Sequence, residues 1–250
     1  MHSTLFAHIP VESTGRYTLQ NPQLLKTAVD QGGNPVLARQ GAMVAYEGHI
    51  EFDSQYRNRS WRNVERMTGE QLELMRCKGN GVVYLANFAQ HLHIMDVGRG
   101  ITADSSAILA FDGSLNVGIV AVDSAVEIAA AGAYNLELSG SGQVVLMTSG
   151  EPLVLEVTPE QNVCCDADAV IAWSTSLRTQ LQAPTSTSAV WRRRGSTGEG
   201  WEMQFSGNGH VLVQPSELLP PQHLRGSGLL GQFGMGSGGL GGNSLGGSRS

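Results

Sequence analysis

Apolar and polar residues alternate along much of this chain with a period of two. Met75 and Cys77, Val83 and Leu85, Leu136 and Leu138, Val144 and Leu146, Met203 and Phe205, and Val211 and Val213 are such pairs. Residues two apart in a strand share a face, so the pattern predicts short, half-buried β-strands. A similar motif splits these strands in three places: Gly79-Asn80-Gly81, Gly140-Ser141-Gly142 and Gly207-Asn208-Gly209. Glycine reaches positive φ at little cost, so each motif predicts a tight turn or a bulge between strands. His93, Met95 and Val97 before Ile101, and Leu153, Leu155 and Val157 before Val163, predict a further strand pair in the second and third units.

A second motif runs in phase with the first. Residues 36–46 (VLARQGAMVAY), 101–111 (ITADSSAILAF) and 163–173 (VCCDADAVIAW) align without a gap. Ala38, Ala103 and Cys165 correspond, as do Ala42, Ala107 and Ala169, and Ala45, Ala110 and Ala172. Each segment ends in an aromatic residue: Tyr46, Phe111, Trp173. Both motifs recur at intervals of about 65 residues, too long for a small solenoid repeat and too short for separate domains. One unit alone would leave an apolar face uncovered, so three lobes around a shared core are expected. The predicted fold is all-β: a single β-sandwich or double-stranded β-helix-like domain over 1–225, with pseudo-symmetric repeats at 20–88, 89–150 and 151–217. The recurring alanines leave room for a neighbouring backbone, and Tyr46, Phe111 and Trp173 are the expected core fillers.

Two segments depart from this pattern. Trp61, Val64 and Met67 fall at helical spacing within Ser60–Leu74, which predicts a short helix or arm before Thr68-Gly69-Glu70 turns into the next strand. Gly, Ser and Leu dominate residues 226–250, and Arg249 is the one charged side chain there. Such a tail buries too little surface to offset its ordering entropy, so disorder is expected there.

Composition narrows the function classes. Only 15% of the 250 residues are charged and the net charge is −6, which argues against a nucleic-acid surface built on phosphate neutralisation. The basic cluster Trp191-Arg192-Arg193-Arg194-Gly195 reads as a solvated hairpin tip. Three cysteines, two of them adjacent (Cys164 and Cys165), do not make a disulfide framework. The first residues lack a basic stretch followed by an apolar run, so no signal peptide is expected and a cytoplasmic location is. Asp123 and Glu127 interrupt the longest apolar stretch, Val117–Ala133, which is therefore no bilayer span.

Few residues suggest chemistry. His91 and His93 lie two apart on one predicted strand, a spacing that jelly-roll metal enzymes use. Leu153 holds the position of His93 in the third unit, so the fold itself is content with an apolar residue there. A hydrogen-bonded histidine is the plainer reading; His91 and His93 stay the only metal candidates. Glu47, His49 and Glu51 bring carboxylates and an imidazole together in sequence, and acid–base chemistry would need them to converge in a cleft. The Gly-x-Gly motifs lack the continuation and the Lys-Ser/Thr pair of a phosphate loop. No serine sits in a nucleophile elbow. No catalytic residue and no cofactor are assigned.

Several stretches together resemble the family named for altered inheritance of mitochondria, member twenty-four. They are Arg66-Met67-Thr68-Gly69-Glu70 leading into Gly79–Ala86, Ile108-Leu109-Ala110-Phe111, and Leu138-Ser139-Gly140-Ser141-Gly142. The resemblance spans about residues 5–217, and a member of the family's bacterial branch is expected. It implies a fold similar to the tryptophan RNA-binding attenuation protein, without implying RNA binding. Mitochondrial members look like organisers of the inner membrane, but this chain has no Arg-rich, acid-poor transit segment. The first expectation is a non-catalytic scaffold that self-associates or binds a protein partner. The alternatives are a small-ligand or metal-binding protein using His91 and His93, and a membrane-surface organiser acting through the tail.

Overall fold

The structure, a computed structural model, describes residues 3–30, 33–54, 73–121, 123–124, 134–182 and 202–216. They belong to the compact unit Met1–Glu217. Most of Ser60–Leu74, the basic cluster Trp191–Gly195 and the tail 226–250 lie outside the described residues; Leu74 itself opens a strand.

Among the described residues every long element is a strand. The first lobe holds β1 (Tyr17–Asn21), β2 (Leu24–Val29), β3 (Val36–Arg39), β4 (Met43–Asp53) and β5 (Leu74–Leu85). The second holds β6 (His91–Asp96), β7 (Ile101–Ala103), β8 (Ile108–Asp112), β9 (Asn116–Ala121), β10 (Asp123–Ser124), β11 (Tyr134–Ser139) and β12 (Gln143–Thr148). The third holds β13 (Leu153–Val157), β14 (Val163–Asp166), β15 (Val170–Ser174), β16 (Arg178–Gln182), β17 (Glu202–Ser206) and β18 (Gly209–Val213). Asp104 and Asp166 cap short 3₁₀ turns at Ser105–Ala107 and Ala167–Ala169, each carboxylate accepting a backbone N–H two residues on.

Counted from β2 in lobe one, with the start and end of β4 as its third and fourth strands, the lobes share one pairing plan. The strand after each Gly-x-Gly lies between the first and third strands of its lobe: β5 between β2 and the start of β4, β12 between β6 and β8, β18 between β13 and β15. The strand before it lies between the second and fourth: β5 between β3 and the end of β4, β11 between β7 and β9, β17 between β14 and β16. Even an irregularity repeats. The register slips between Met43 and Ala45, across the residues facing Val145 and Leu146, and between Val170 and Ala172. The extra residue is Val44, Leu109 or Ile171, the same place in each repeat, and such bulges bend and twist a strand.

Lobes join by sheet extension. The second strand of lobe one pairs with the third strand of lobe two, Ala38 facing Ala110 and Leu37 facing Phe111. Lobe two joins lobe three the same way, Ala103 facing Ala172 and Thr102 facing Trp173. The sheets are therefore mixed between lobes: an eight-stranded sheet β1-β2-β5-β3-β8-β12-β6 with β4 beside β5, a six-stranded sheet β13-β18-β15-β7-β11-β9, and a four-stranded sheet β10-β16-β17-β14. The largest curls toward closure: Leu92 N–H on β6 donates to the Pro22 carbonyl after β1 at 2.8 Å.

The glycine motifs do more than turn. In lobes two and three the flanking strands do not pair with each other; the motif carries the chain from one sheet into another. In lobe one β5 runs through Gly79-Asn80-Gly81 without a break, paired with β4 throughout. There Gly79 and Gly81 take positive φ, and a Cβ on either would sit on the carbonyl oxygen of His49 or Glu47. In place of the expected tight turn or bulge stands a crossing point where two backbones approach too closely for any side chain.

One core joins lobes one and two, built on Leu25, Val36, Val83, Leu85, Leu109 and Val145. A second core lies in lobe three, where Trp173 meets Phe205 edge-on at 5.6 Å between ring centres. Asp112 ties the N-terminal segment to lobe two: it accepts from Gln143 N–H at 2.7 Å and from the Tyr17 hydroxyl at 3.2 Å, with Arg16 Nε 3.1 Å away. Arg39 spans the first lobe joint and donates to the carbonyls of Ser105, Ser106 and Ile108.

Candidate functional site

His91 and His93 stand on β6, the last strand of the large sheet, opposite Thr148 and Leu146 of β12. Strand alternation puts both imidazoles on one face, as their spacing implies. His93 Nε2 lies 2.8 Å from Thr148 Oγ1. That hydroxyl donates its own hydrogen to the Gly150 carbonyl at 2.6 Å. The hydrogen-bond network therefore assigns the proton of His93 to Nε2, with the threonine oxygen accepting. His91 Nδ1 lies 2.9 Å from the exposed Glu151 carboxylate. Burial lowers the His93 pKa; Glu151 opposes that shift and His91 adds to it. The two rings are thus held against the turn between β12 and β13. Among the described residues no three His, Cys, Asp or Glu side chains gather as a metal-binding set.

The Glu47, His49, Glu51 series is parted by the bend at Gly48, where φ is +89°. Glu47 accepts from the Tyr84 hydroxyl at 3.1 Å. His49 and Glu51 line a cleft of about 760 Å³ with Asp30, Asn34, Lys78 and Asn80, floored by Ile50 and Cys77. Glu51 faces Lys78 across the β4–β5 ladder. The cleft is open and of mixed lining, and Glu47 is not part of it. Burial raises the Cys77 thiol to a pKa of about 12, so it is no thiolate nucleophile at neutral pH.

A third feature departs most from the sequence expectation. Met43, Val44, Ala45, Tyr46 and Glu47 on β4 are all exposed. Their counterparts on β8 and β15 are buried almost without exception. Leu109 and Ile171 are 0% exposed where Val44 is 60% exposed, and Phe111 and Trp173 are 0% and 4% exposed where Tyr46 is 49% exposed. Tyr46 was expected in the core; its ring instead packs edge-on against Phe52 at 5.5 Å. The cause is topological. β8 and β15 each carry the second strand of the preceding lobe on their outer side, and the pairing of Met43–Glu47 is to β5. No sequence signal separates these copies, because the three segments carry the same pattern.

Residues 17–216 match the family described as mitochondrial biogenesis AIM24. The chain belongs to the AIM24 family. An X-ray structure of a Streptococcus pyogenes protein is similar in fold, with a TM-score of 0.64 over 87% of this chain and 97% of that one, at 18% identity. No protein with a curated description matches. The all-β fold expected of an AIM24 protein is the fold observed. Among the described residues no helix is long and apolar enough to cross a membrane.

Proposed function

We propose that this AIM24 protein is a non-catalytic β-rich scaffold that works by presenting strand surface to another protein chain, a copy of itself or a different protein. One observation carries the reading: the apolar segment Met43–Tyr46 is exposed where the same segment is buried in both other lobes. Burying a valine and a tyrosine of this kind contributes about 1.5–3 kcal/mol per side chain, and an apolar strand edge is a ready template for a partner strand. Cys77, Cys164 and Cys165 form no disulfide, which supports a reducing, cytoplasmic setting.

Sedimentation velocity and native mass measurement of the full chain test the proposal. The expected result is a species larger than one chain, or a stoichiometric complex with a defined protein partner. A chain that stays monomeric at tens of micromolar and binds no purified candidate partner overturns it. Metal analysis separates the rival reading: stoichiometric metal that is lost in His93→Ala would favour a metal site on His91 and His93 over the scaffold.

A further inference from the structure

We infer that copies of this chain assemble head to tail, β14 of one copy pairing antiparallel with the Met43–Glu47 edge of β4 in the next. The inference rests on the scaffold reading and names its partner and register.

The argument comes from the two joints already present within the chain. At each joint the second strand of one lobe pairs with the third strand of the next, β3 with β8 and β7 with β15. β4 supplies a third strand of the same kind. Among the described residues no strand lies on the outer side of Met43–Glu47. The strand type that covers this position twice is the second strand, and lobe three supplies its version in β14. β14 is also more open than its counterparts. Val163 and Cys165 are half-buried and Cys164 is exposed, whereas Val36, Leu37, Ala38, Ile101, Thr102 and Ala103 are all buried.

The sheets say the same. The six-stranded sheet runs first, post-glycine and third strand of lobe three, then second, pre-glycine and fourth strand of lobe two. The order β6-β12-β8-β3-β5 repeats it across lobes two and one, with the end of β4 completing it. The remaining strands form two halves of a third such sheet: β2, β5 and the start of β4 on one side, β14, β17 and β16 on the other. Joining the halves between copies would continue an interface the chain already builds twice.

The register follows from the equivalences. Ala38 faces Ala110 and Ala103 faces Ala172, so Cys165 would face Ala45 of the next copy. Cys164 would face Tyr46, as Leu37 faces Phe111 and Thr102 faces Trp173. A small residue meets a small residue at every joint, which lets the backbones reach ladder distance. The two edges differ, so the contact is heterologous and generates a closed ring or an open chain of subunits.

Two measurements on the full-length protein test this. The first compares native mass and sedimentation of the wild type with Val44→Lys. Val44 already faces solvent, so the change spares the core, while a lysine on a strand edge discourages pairing. The expected outcome is a multimer that falls to single chains in the variant. The second oxidises Tyr46→Cys, whose new thiol would face Cys164 at a spacing a disulfide can bridge. The expected outcome on a non-reducing gel is a ladder of covalent multimers that disappears when Cys164→Ser is added. A wild-type multimer that survives Val44→Lys overturns the inference and leaves the scaffold reading standing. A cross-linked dimer that survives Cys164→Ser means that β4 pairs with itself, and an internal disulfide in a monomer means that the chain closes on its own β14; either result overturns the inference. A wild type that is monomeric and never cross-links overturns the self-association reading as well.

Discussion

Gly79 and Gly140 hold the same place in the repeat but work under different constraints. Both have positive φ, which costs a side chain roughly 1–2 kcal/mol. Around Gly140 the nearest atom to a built Cβ is 3.7 Å away, so the cost ends there. At Gly79 the Cβ would meet the His49 backbone, which is itself held in the β4–β5 ladder. Gly140→Ala should therefore lose about 1–2 kcal/mol in urea unfolding and Gly79→Ala about 3 kcal/mol or more. Equal losses would contradict the crossing-strand account. His93 makes a second test at this scale. Its pKa is lowered in the folded protein, chiefly by burial, so on acidification the unfolded chain takes up the proton first. The stability linked to His93 is complete above about pH 6.5 and is lost as pH falls from there through the folded value. His93→Leu, the residue found at the equivalent position Leu153, should flatten that part of the wild-type curve between pH 7 and 5. An unchanged slope would show that His93 is not the group involved.

Many of the strands were legible in the sequence, because alternation reports which face is buried whatever the partner. The in-phase motifs also located the three lobes. Two features were hidden. The Gly-x-Gly motifs read as tight turns or bulges, yet Gly140 and Gly207 move the chain between sheets and Gly79 to Gly81 lie inside β5. Local sequence specifies positive φ, while the strand that accepts the next hydrogen bond is set by tertiary pairing. Tyr46 looked like Phe111 and Trp173 because it shares their strand, and only the neighbouring lobe decides whether that strand is covered. The difference has an energetic consequence. Phe205, which is fully buried against Trp173, should cost about 3–5 kcal/mol when cut to alanine. Tyr46→Ala should stay within about 1 kcal/mol in the isolated chain. Comparable losses from the two variants, read by thermal or urea unfolding, would mean that Tyr46 is a core residue after all.

At the scale of the whole molecule, three repeats make two complete joints and leave the materials of a third. The histidines and carboxylates singled out in the sequence do not meet: His91 and His93 turn to Thr148 and Glu151, while His49 and Glu51 line a separate cleft from which Glu47 is absent. The three repeats of this AIM24 chain thus differ in the burial of equivalent segments, which composition and spacing cannot display. Hydrogen exchange across a concentration series probes that difference directly. Amides of Met43–Glu47 should exchange faster than those of Ile108–Asp112 and Val170–Ser174 in dilute protein, and gain protection as concentration rises. Protection of Met43–Glu47 equal to the other two segments at every concentration, or fast exchange that concentration never slows, would contradict the account.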